Sequence, residues 1–269
     1  MNLVSLLRKQ SRDNILLFAD ALALAEKFCV KLVLLEQAAL ENEIWPETYL
    51  RHRNLLTSEQ QHRLLGSTVA VIGCGGLGGQ VFEGLVRLGI GRIIVLDPDR
   101  FAAHNLNRQL LCTVEELGHL KVEAAVRRAA SVNPAVSVIP VAERFSAKVN
   151  ENVRQAHVII DGLDSVADRH ELADYCYTTG IPLVHGAVSG WYGQVGVQKE
   201  TLLIKKLYPR IPDNDKEKNP AVLSCTVATV ASLEVAETVK LLLNLNSQLI
   251  DTWKSIDLRR CEIEQIDLP

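Results

Sequence analysis

Between residues 66 and 185 the chain alternates short, unbroken apolar runs with longer segments in which apolar positions recur every three to four residues. Residues 68–72, 92–96, 136–141, 157–160 and 182–185 are of the first kind and read as strands buried on both faces. Residues 77–88, a run to 131 and 166–179 are of the second kind and read as helices. Thr113-Val114-Glu115-Glu116, which opens the middle run, has capping-box spacing, as does Thr57-Ser58-Glu59-Gln60 ahead of a short helix to Leu65. This alternation predicts an α/β fold with a Rossmann-like, doubly wound, mainly parallel sheet.

The flanks have other patterns. Residues 3–41 contain neither Gly nor Pro and predict a helical N-terminal extension, with Leu17, Ala21, Leu24 and Phe28 on one face. Glu43-Ile44-Trp45-Pro46 ends it, because the residue before Pro disfavours helix, and divides the chain into residues 1–46 and 47–269. After residue 185, segments 190–199 and 201–207 read as antiparallel strands and 208–220 as a charged, Pro-containing loop. Residues 226–243 read as a long apolar helix, and 250–268 as two closing strands.

Composition narrows the class without naming a chemistry. A net charge of −3 with 23% charged residues gives no electrostatic reason to expect nucleic acid or an anionic membrane as partner. No apolar run approaches the roughly 18 residues that would cross a bilayer, and the N-terminus lacks the apolar core of a signal peptide. The six cysteines at 29, 74, 112, 176, 225 and 261 have no paired spacing, which fits reduced thiols in a cytoplasmic protein.

The chemistry begins where the first buried strand ends. Gly73, Gly75 and Gly78 form Gly-x-Gly-x-x-Gly between a strand and a helix, so backbone N–H groups at the helix N-terminus can hold a phosphate, and Gly76 adds room. Asp97, at the end of the next strand, can accept ribose hydroxyls, with Asp99 as the alternative past Pro98. Alone, these features suit NAD(P) and an oxidoreductase equally well. Asn105, Arg108 and Lys121 then add a donor and two cations beyond what a dinucleotide cradle requires, as for a triphosphate whose charge changes during reaction. The same spacing also suits a Lys121 on a solvated helix face and an Arg108 in a surface ion pair. Asp161 and Asp164 come after another strand, at the edge where such sheets bind ligands; either suits Mg2+, and either can cap the next helix.

Taken together, Arg51-His52-Arg53-Asn54, the glycine turn, Asp97-Pro98-Asp99, Asn105-Leu106-Asn107-Arg108-Gln109, Gly118-His119-Leu120-Lys121, Asn133-Pro134, Asp161 to Asp164 with Arg169, and Gly193-Gln194 resemble the family of ThiF, MoeB and HesA, relatives of the ubiquitin-activating enzymes. The resemblance runs from about Tyr49 onward. It implies ATP- and Mg2+-dependent adenylation of the C-terminal Gly-Gly carboxylate of a small ubiquitin-like sulfur carrier, of the ThiS or MoaD kind, for thiamin or molybdenum/tungsten cofactor synthesis. Other relatives act on a modified tRNA base or a peptide. Carried over by position, Gly76 backs the phosphates, Asp97 holds the ribose, and Asn105, Arg108 and Lys121 hold the phosphates. Asp164 holds Mg2+, and Arg53 reaches a neighbouring subunit's triphosphate, which implies a homodimer.

Cys225 stands where some members join covalently to the carrier; it also suits a small buried hydrophobe ahead of the last helix. The two Cys-x-x-Cys pairs that often hold zinc are missing: Leu203 to Leu207 has no cysteine and only Cys261 remains near the C-terminus, so no structural zinc is expected. Leu50 replaces the family's first Arg, with Arg51 beside it. The charged loop over residues 205–220 is expected to cover the site.

Overall fold

A computed structural model describes residues 3–146, 151–211 and 221–266. The first forty residues form three helices: α1 (Leu3–Gln10), α2 (Phe18–Phe28) and α3 (Leu32–Glu41). The breaks need no Gly or Pro. Asp13 and Asn14 take φ of 52° and 58°, and Cys29 takes 50°, a left-handed region that short polar side chains tolerate. Around the first break Arg12 and Ile15 exchange backbone hydrogen bonds of 3.0 and 2.8 Å. There the chain forms β1 (Ile15–Leu16), which pairs in parallel with β2 (Trp45–Pro46). Ala21 and Leu24 are buried with Leu7, Leu16 and Leu35, whereas Leu17 and Phe28, expected on the same face, are exposed.

Tyr49, in the 3-10 turn Glu47–His52, joins this extension to the α/β part of the chain. Its hydroxyl donates to Glu36 of α3 at 3.2 Å and accepts from Asn133 at 2.9 Å, and Asn133 also donates to Val86 O at 3.1 Å. The ring occupies the space of a side chain at Gly89, whose Cβ would lie 2.6 Å from it. The expected Thr57–Gln60 box is present: Gln60 N donates to Thr57 Oγ1 at 3.1 Å and Thr57 N to Gln60 Oε1 at 2.9 Å, opening α4 (Ser58–Leu65).

The parallel strands are β3 (Thr68–Ile72), β4 (Arg92–Leu96), β5 (Ser137–Val141), β6 (Val158–Asp161) and β7 (Leu183–Ser189), continued antiparallel by β8 (Tyr192–Gln198), β9 (Trp253–Asp257) and β10 (Glu262–Ile266). Their order is β10-β9-β8-β7-β6-β3-β4-β5. The apolar runs of β3, β4 and β6 are continuous because both faces are covered, whereas the edge strand β5, expected to be buried likewise, is partly exposed. Val69, Val71, Ile93, Val95 and Ile160 pack with α5 (Gly76–Leu88), α6 (Lys121–Val132) and α9 (Ser224–Leu242); Ala70, Ile72, Ile94 and Ile159 pack with α7 (Val166–Thr179) and with Ile204 of α8 (Leu203–Leu207). β3 and β6 run parallel, but the chain adds β4 and β5 on one side of β3 and β6 and β7 on the other, so the connections that leave these two strands diverge and leave a crevice.

Two expectations fail locally. Thr113 forms no side-chain cap, and only one 3-10 turn (Val114–Glu116) comes after it, because Glu116 pairs instead with Arg127 at 2.5 Å. Residues 201–207 are not a strand. Asp251, at φ 54°, accepts from the backbone N–H groups of Lys199, Glu200 and Thr201, while Gln198 Oε1 accepts from Ile204 N, and the chain turns into α8 with Leu203 and Ile204 buried. Residues 205–207 of the expected charged loop therefore belong to α8, and 212–220 lie outside the described residues.

Asp251→Gly keeps the left-handed backbone but removes the carboxylate, and should lower the unfolding free energy by about 2 kcal/mol in urea titration; an unchanged midpoint would remove Asp251 as the tie. Glu36 yields a pH test. Burial raises its carboxyl from 4.5 to about 7, the Tyr49 hydrogen bond opposing. The folded state thus prefers the protonated acid. The stability this permits is complete below pH 4.5 and is lost as pH rises to about 7. Relative to Glu36→Gln, which stays neutral, the natural protein should lose on the order of 3 kcal/mol across that window. Glu234, buried with both carboxyl oxygens unpartnered among the described residues and pushed the same way, is common to both proteins and cancels. An equal stability difference at pH 4.5 and pH 8 would contradict the assignment.

Candidate functional site

The crevice between β3 and β6 opens into a cleft of about 910 Å³, lined by Gly73, Gly75, Gly76, Asp97, Asp99, Arg108, Gln109, Lys121, Asp164 and Arg169 among others. This lies within the range of small-molecule sites. The four predicted glycines do two different jobs. Gly73, at φ +91°, would place a Cβ 2.5 Å from Gly162 O, and a Cβ on Gly78 would lie 1.8 Å from Gly73 O. These two let the ends of β3 and β6 and the first turn of α5 approach one another. A Cβ on Gly75 or Gly76 would meet no atom of the described residues closer than 3.6 Å; both residues line the cleft where α5 begins and its first N–H groups lack helical partners.

Asp97 is buried and accepts from Cys74 N at 2.7 Å and from Asp99 N at 2.8 Å. Burial raises its pKa, while Lys121 and the two N–H groups oppose the rise. Lys121, the first residue of α6, is not on a solvated face. It is only 6% exposed, with Nζ 2.9 Å from Asp99 and 3.6 Å from Asp97. Burial alone would lower its pKa; Asp97 and Asp99 outweigh this and hold it above the ordinary value. Burial governs the carboxylate, and two carboxylates together govern the ammonium. Cys74, buried in the same turn, has its thiol pushed far up by burial and is no nucleophile.

Arg108 makes no surface ion pair among the described residues. Its Nη1 donates to His104 O at 2.9 Å and to Asn107 Oδ1 at 3.0 Å, and its side chain lines the cleft. Asn105 is buried and caps its own 3-10 turn, accepting from Ala102 N at 2.9 Å; it does not line the cleft. Gln109, part of the Asn105–Gln109 motif but given no role there by sequence reasoning, does, and its buried Oε1 has no partner among the described residues. Its signal in the sequence was its place in that motif, beside Arg108.

On the opposite wall the two aspartates separate. Asp161 is fully buried. Burial acts to raise its pKa, but Arg169, His185 and Leu163 N hold it below the usual carboxylate range. Asp164 is exposed and lines the cleft, and the cap of α7 is Ser165, whose hydroxyl accepts from Asp168 N at 3.3 Å. No group of three or more His, Cys, Asp and Glu side chains among the described residues is arranged to hold a metal. One cleft-facing carboxylate does fit Mg2+, which keeps few protein ligands and arrives with substrate phosphates. Arg53 and Cys225 are both exposed, and neither lines the cleft; burial as a small hydrophobe is therefore not the state of Cys225. No helix among the described residues is long and apolar enough to cross a membrane.

The model of the ThiF family matches residues 49–269. The chain is 35% identical over 205 residues to the SAMP-activating enzyme E1 of Haloferax volcanii, covering 74% of this chain and 76% of that protein. It is 34% identical over 202 residues to a sulfur carrier protein adenylyltransferase of Thermus thermophilus, covering 71% and 74%. Among solved structures, E. coli MccB with ATP superposes with a TM-score of 0.69 at 20% identity, covering 82% of this chain and 71% of that one, a likeness of fold.

The two classes of glycine can be told apart. Gly78→Ala should cost about 3 kcal/mol or more of stability, because its Cβ meets backbone that cannot move aside. Gly76→Ala, with Val227 3.6 Å away, should keep or raise the melting temperature yet weaken nucleotide binding about tenfold. Thermal unfolding beside calorimetric ATP titration reads both. Equal behaviour of the two variants would refute the division.

Proposed function

The chain belongs to the ThiF family and is an ATP-dependent adenylyltransferase, and from that membership we propose that its acceptor is the C-terminal glycine carboxylate of a small ubiquitin-like sulfur carrier protein. The observation that carries this reading is the cleft's charge layout. Arg108, without a carboxylate partner among the described residues, and a buried Lys121 flank the open N-terminus of α5, and Asp164 faces them.

In the proposed reaction a carboxylate oxygen of the carrier attacks the α-phosphorus of ATP, the bond to the β-phosphate breaks, and pyrophosphate leaves an acyl-adenylate. The N–H groups at Gly75 and Gly76 hold phosphate oxygens. Arg108 and Lys121 stabilise the charge that builds on the non-bridging and leaving oxygens, and they are already in place before reaction, which is what makes such groups effective. Asp97 keeps the glycine turn in shape while its free lone pairs accept ribose hydroxyls. Asp164 would hold Mg2+, which when bound neutralises phosphate charge.

Further assignments rest on the same reading. Residues 1–46 form an N-terminal extension of the adenylation domain in a cytoplasmic homodimer, across which the exposed Arg53 reaches a neighbouring cleft. Cys225 would meet the carrier's tail, a role supported by its exposure near the start of α9 between the cleft residues Val222 and Val227. The identity of the tail's bearer sets the pathway, whether thiamin or a molybdenum or tungsten cofactor.

ATP–pyrophosphate exchange, measured with and without a carrier ending in Gly-Gly, tests the function. Exchange should depend on the carrier, and Arg108→Ala should reduce it by about 10²–10³ with an unchanged melting temperature. Exchange that ignores the carrier would overturn the acceptor, and full activity in the variant would overturn the role of Arg108.

A further inference from the structure

Behind the wall that bears Asp164, five polar side chains from separate elements meet: Asp161 at the end of β6, Arg169 in α7, His185 in β7, Gln194 in β8 and Tyr208 just beyond α8. Asp161 and His185 are fully buried and Arg169 is 8% exposed. The hydrogen bonds have one consistent direction. Asp161 is ionised, so His185 Nδ1 donates to its Oδ2 at 2.7 Å. Burial keeps the imidazole neutral, which makes Nε2 an acceptor, and the Tyr208 hydroxyl donates to it at 3.2 Å. The Tyr208 oxygen then accepts from Gln194 Nε2 and from Arg169 Nη1, the latter at 3.3 Å.

The chain of bonds ends on main chain. Arg169 Nη2 donates to Leu163 O at 2.6 Å, and Leu163 N donates to Asp161 Oδ1 at 3.0 Å. Both peptide groups of the residue before Asp164 are thus held by the network. Gly162 is fixed from the other side by its close approach to Gly73, and its N donates to Ile72 O at 2.8 Å. Neither His185 nor Tyr208 lines the cleft.

We propose that His185 and Tyr208 are positioning residues for Asp164: through Asp161 and Arg169 they set the two anchors of Leu163, and so the place where the carboxylate meets the divalent cation of a metal–nucleotide complex. This rests on the reading that ATP binds the cleft with Mg2+ at Asp164. Groups behind a metal ligand commonly change metal affinity 10–100-fold when removed. Packing alone would assign the cluster to fold stability, and the two roles part experimentally.

Tyr208→Phe is the informative variant. It retains the ring's edge contact with His185 (centroids 5.6 Å apart) and its stacking under the Arg169 guanidinium (5.3 Å), and deletes only the hydroxyl. ATP affinity is measured on the full chain by calorimetry, once with excess Mg2+ and once with EDTA, alongside the melting temperature. The expected result is an unchanged affinity in EDTA and a roughly tenfold smaller gain on adding Mg2+. In an Asp164→Asn background the same substitution should change nothing further. Should Tyr208→Phe not fold, Gln194→Leu, which removes one donor to the Tyr208 oxygen, should shift the Mg2+ gain in the same direction. A lower melting temperature with the full Mg2+ gain retained, or an effect that persists beside Asp164→Asn, overturns the proposal. So does a natural protein whose ATP affinity ignores Mg2+. Because no carrier is present, a failure of the acceptor reading shows only in the exchange assay and is distinguishable from this one.

Discussion

The site depends on a backbone approach too close for any side chain. Gly73 lies against Gly162 where β3 and β6 part, and Gly78 lies against Gly73 where α5 begins. If either contact opened, the first turn of α5 would tilt away from the crevice and its N–H groups would no longer converge on it. Asp97 reinforces the approach from the neighbouring strand by holding Cys74 N with one oxygen and Asp99 N with the other. One carboxylate therefore sets the shape of the glycine turn and the position of the exposed Asp99, which in turn pairs with Lys121. Sterics make the cleft; a buried acid keeps it aligned with the cation across from it.

That constraint was the most legible part of the chain, because a close backbone approach leaves a local signature: only glycine satisfies it. The capping box at Thr57 was legible for the same reason, since donor and acceptor lie within one turn. An identical spacing at Thr113 failed because a distant partner, Arg127, claimed the Glu116 carboxylate. The breaks at Asp13, Asn14 and Cys29 were hidden because left-handed turns can form without Gly or Pro. Residues 201–207 read as a strand until Asp251, fifty positions later in the chain, redirected them. Burial was the information most lacking. Spacing could not tell a solvated Lys121 from one enclosed by two carboxylates, nor decide which of Asp161 and Asp164 faces the cleft. The His185–Tyr208 link joins residues 23 apart on different elements and left no trace in the pattern.

The two cations on the cleft wall are prepared differently. Arg108 is oriented by neutral acceptors, His104 O and Asn107 Oδ1, so an anion approaching it displaces no carboxylate. Lys121 is charge-neutralised by Asp97 and Asp99, and an anion must compete with the more exposed of the two. A guanidinium without a carboxylate favours capture of an anion, while a shielded ammonium avoids the cost of burying an unpaired charge. On the far wall Arg169 is engaged by Leu163 O and Tyr208, so its charge is committed to holding the turn before Asp164.

Helix α6 links the site to the far side of the molecule. Its first residue is Lys121, and the residue after its last turn is Asn133, whose side chain donates to the Tyr49 hydroxyl and Val86 O and accepts at Oδ1 from Ala135 N at 3.2 Å. Tyr49 in turn carries Glu36 of α3, so the extension grips the C-terminal end of the helix that bears the cleft's lysine at its N-terminal end. A helix held at both ends by buried polar contacts has little freedom to slide along its axis, and a shift of a fraction of an ångström would already lengthen the 2.9 Å contact from Lys121 to Asp99. The N-terminal helices thus bear on the precision of the site without approaching it, through a tyrosine that only Gly89 leaves room for.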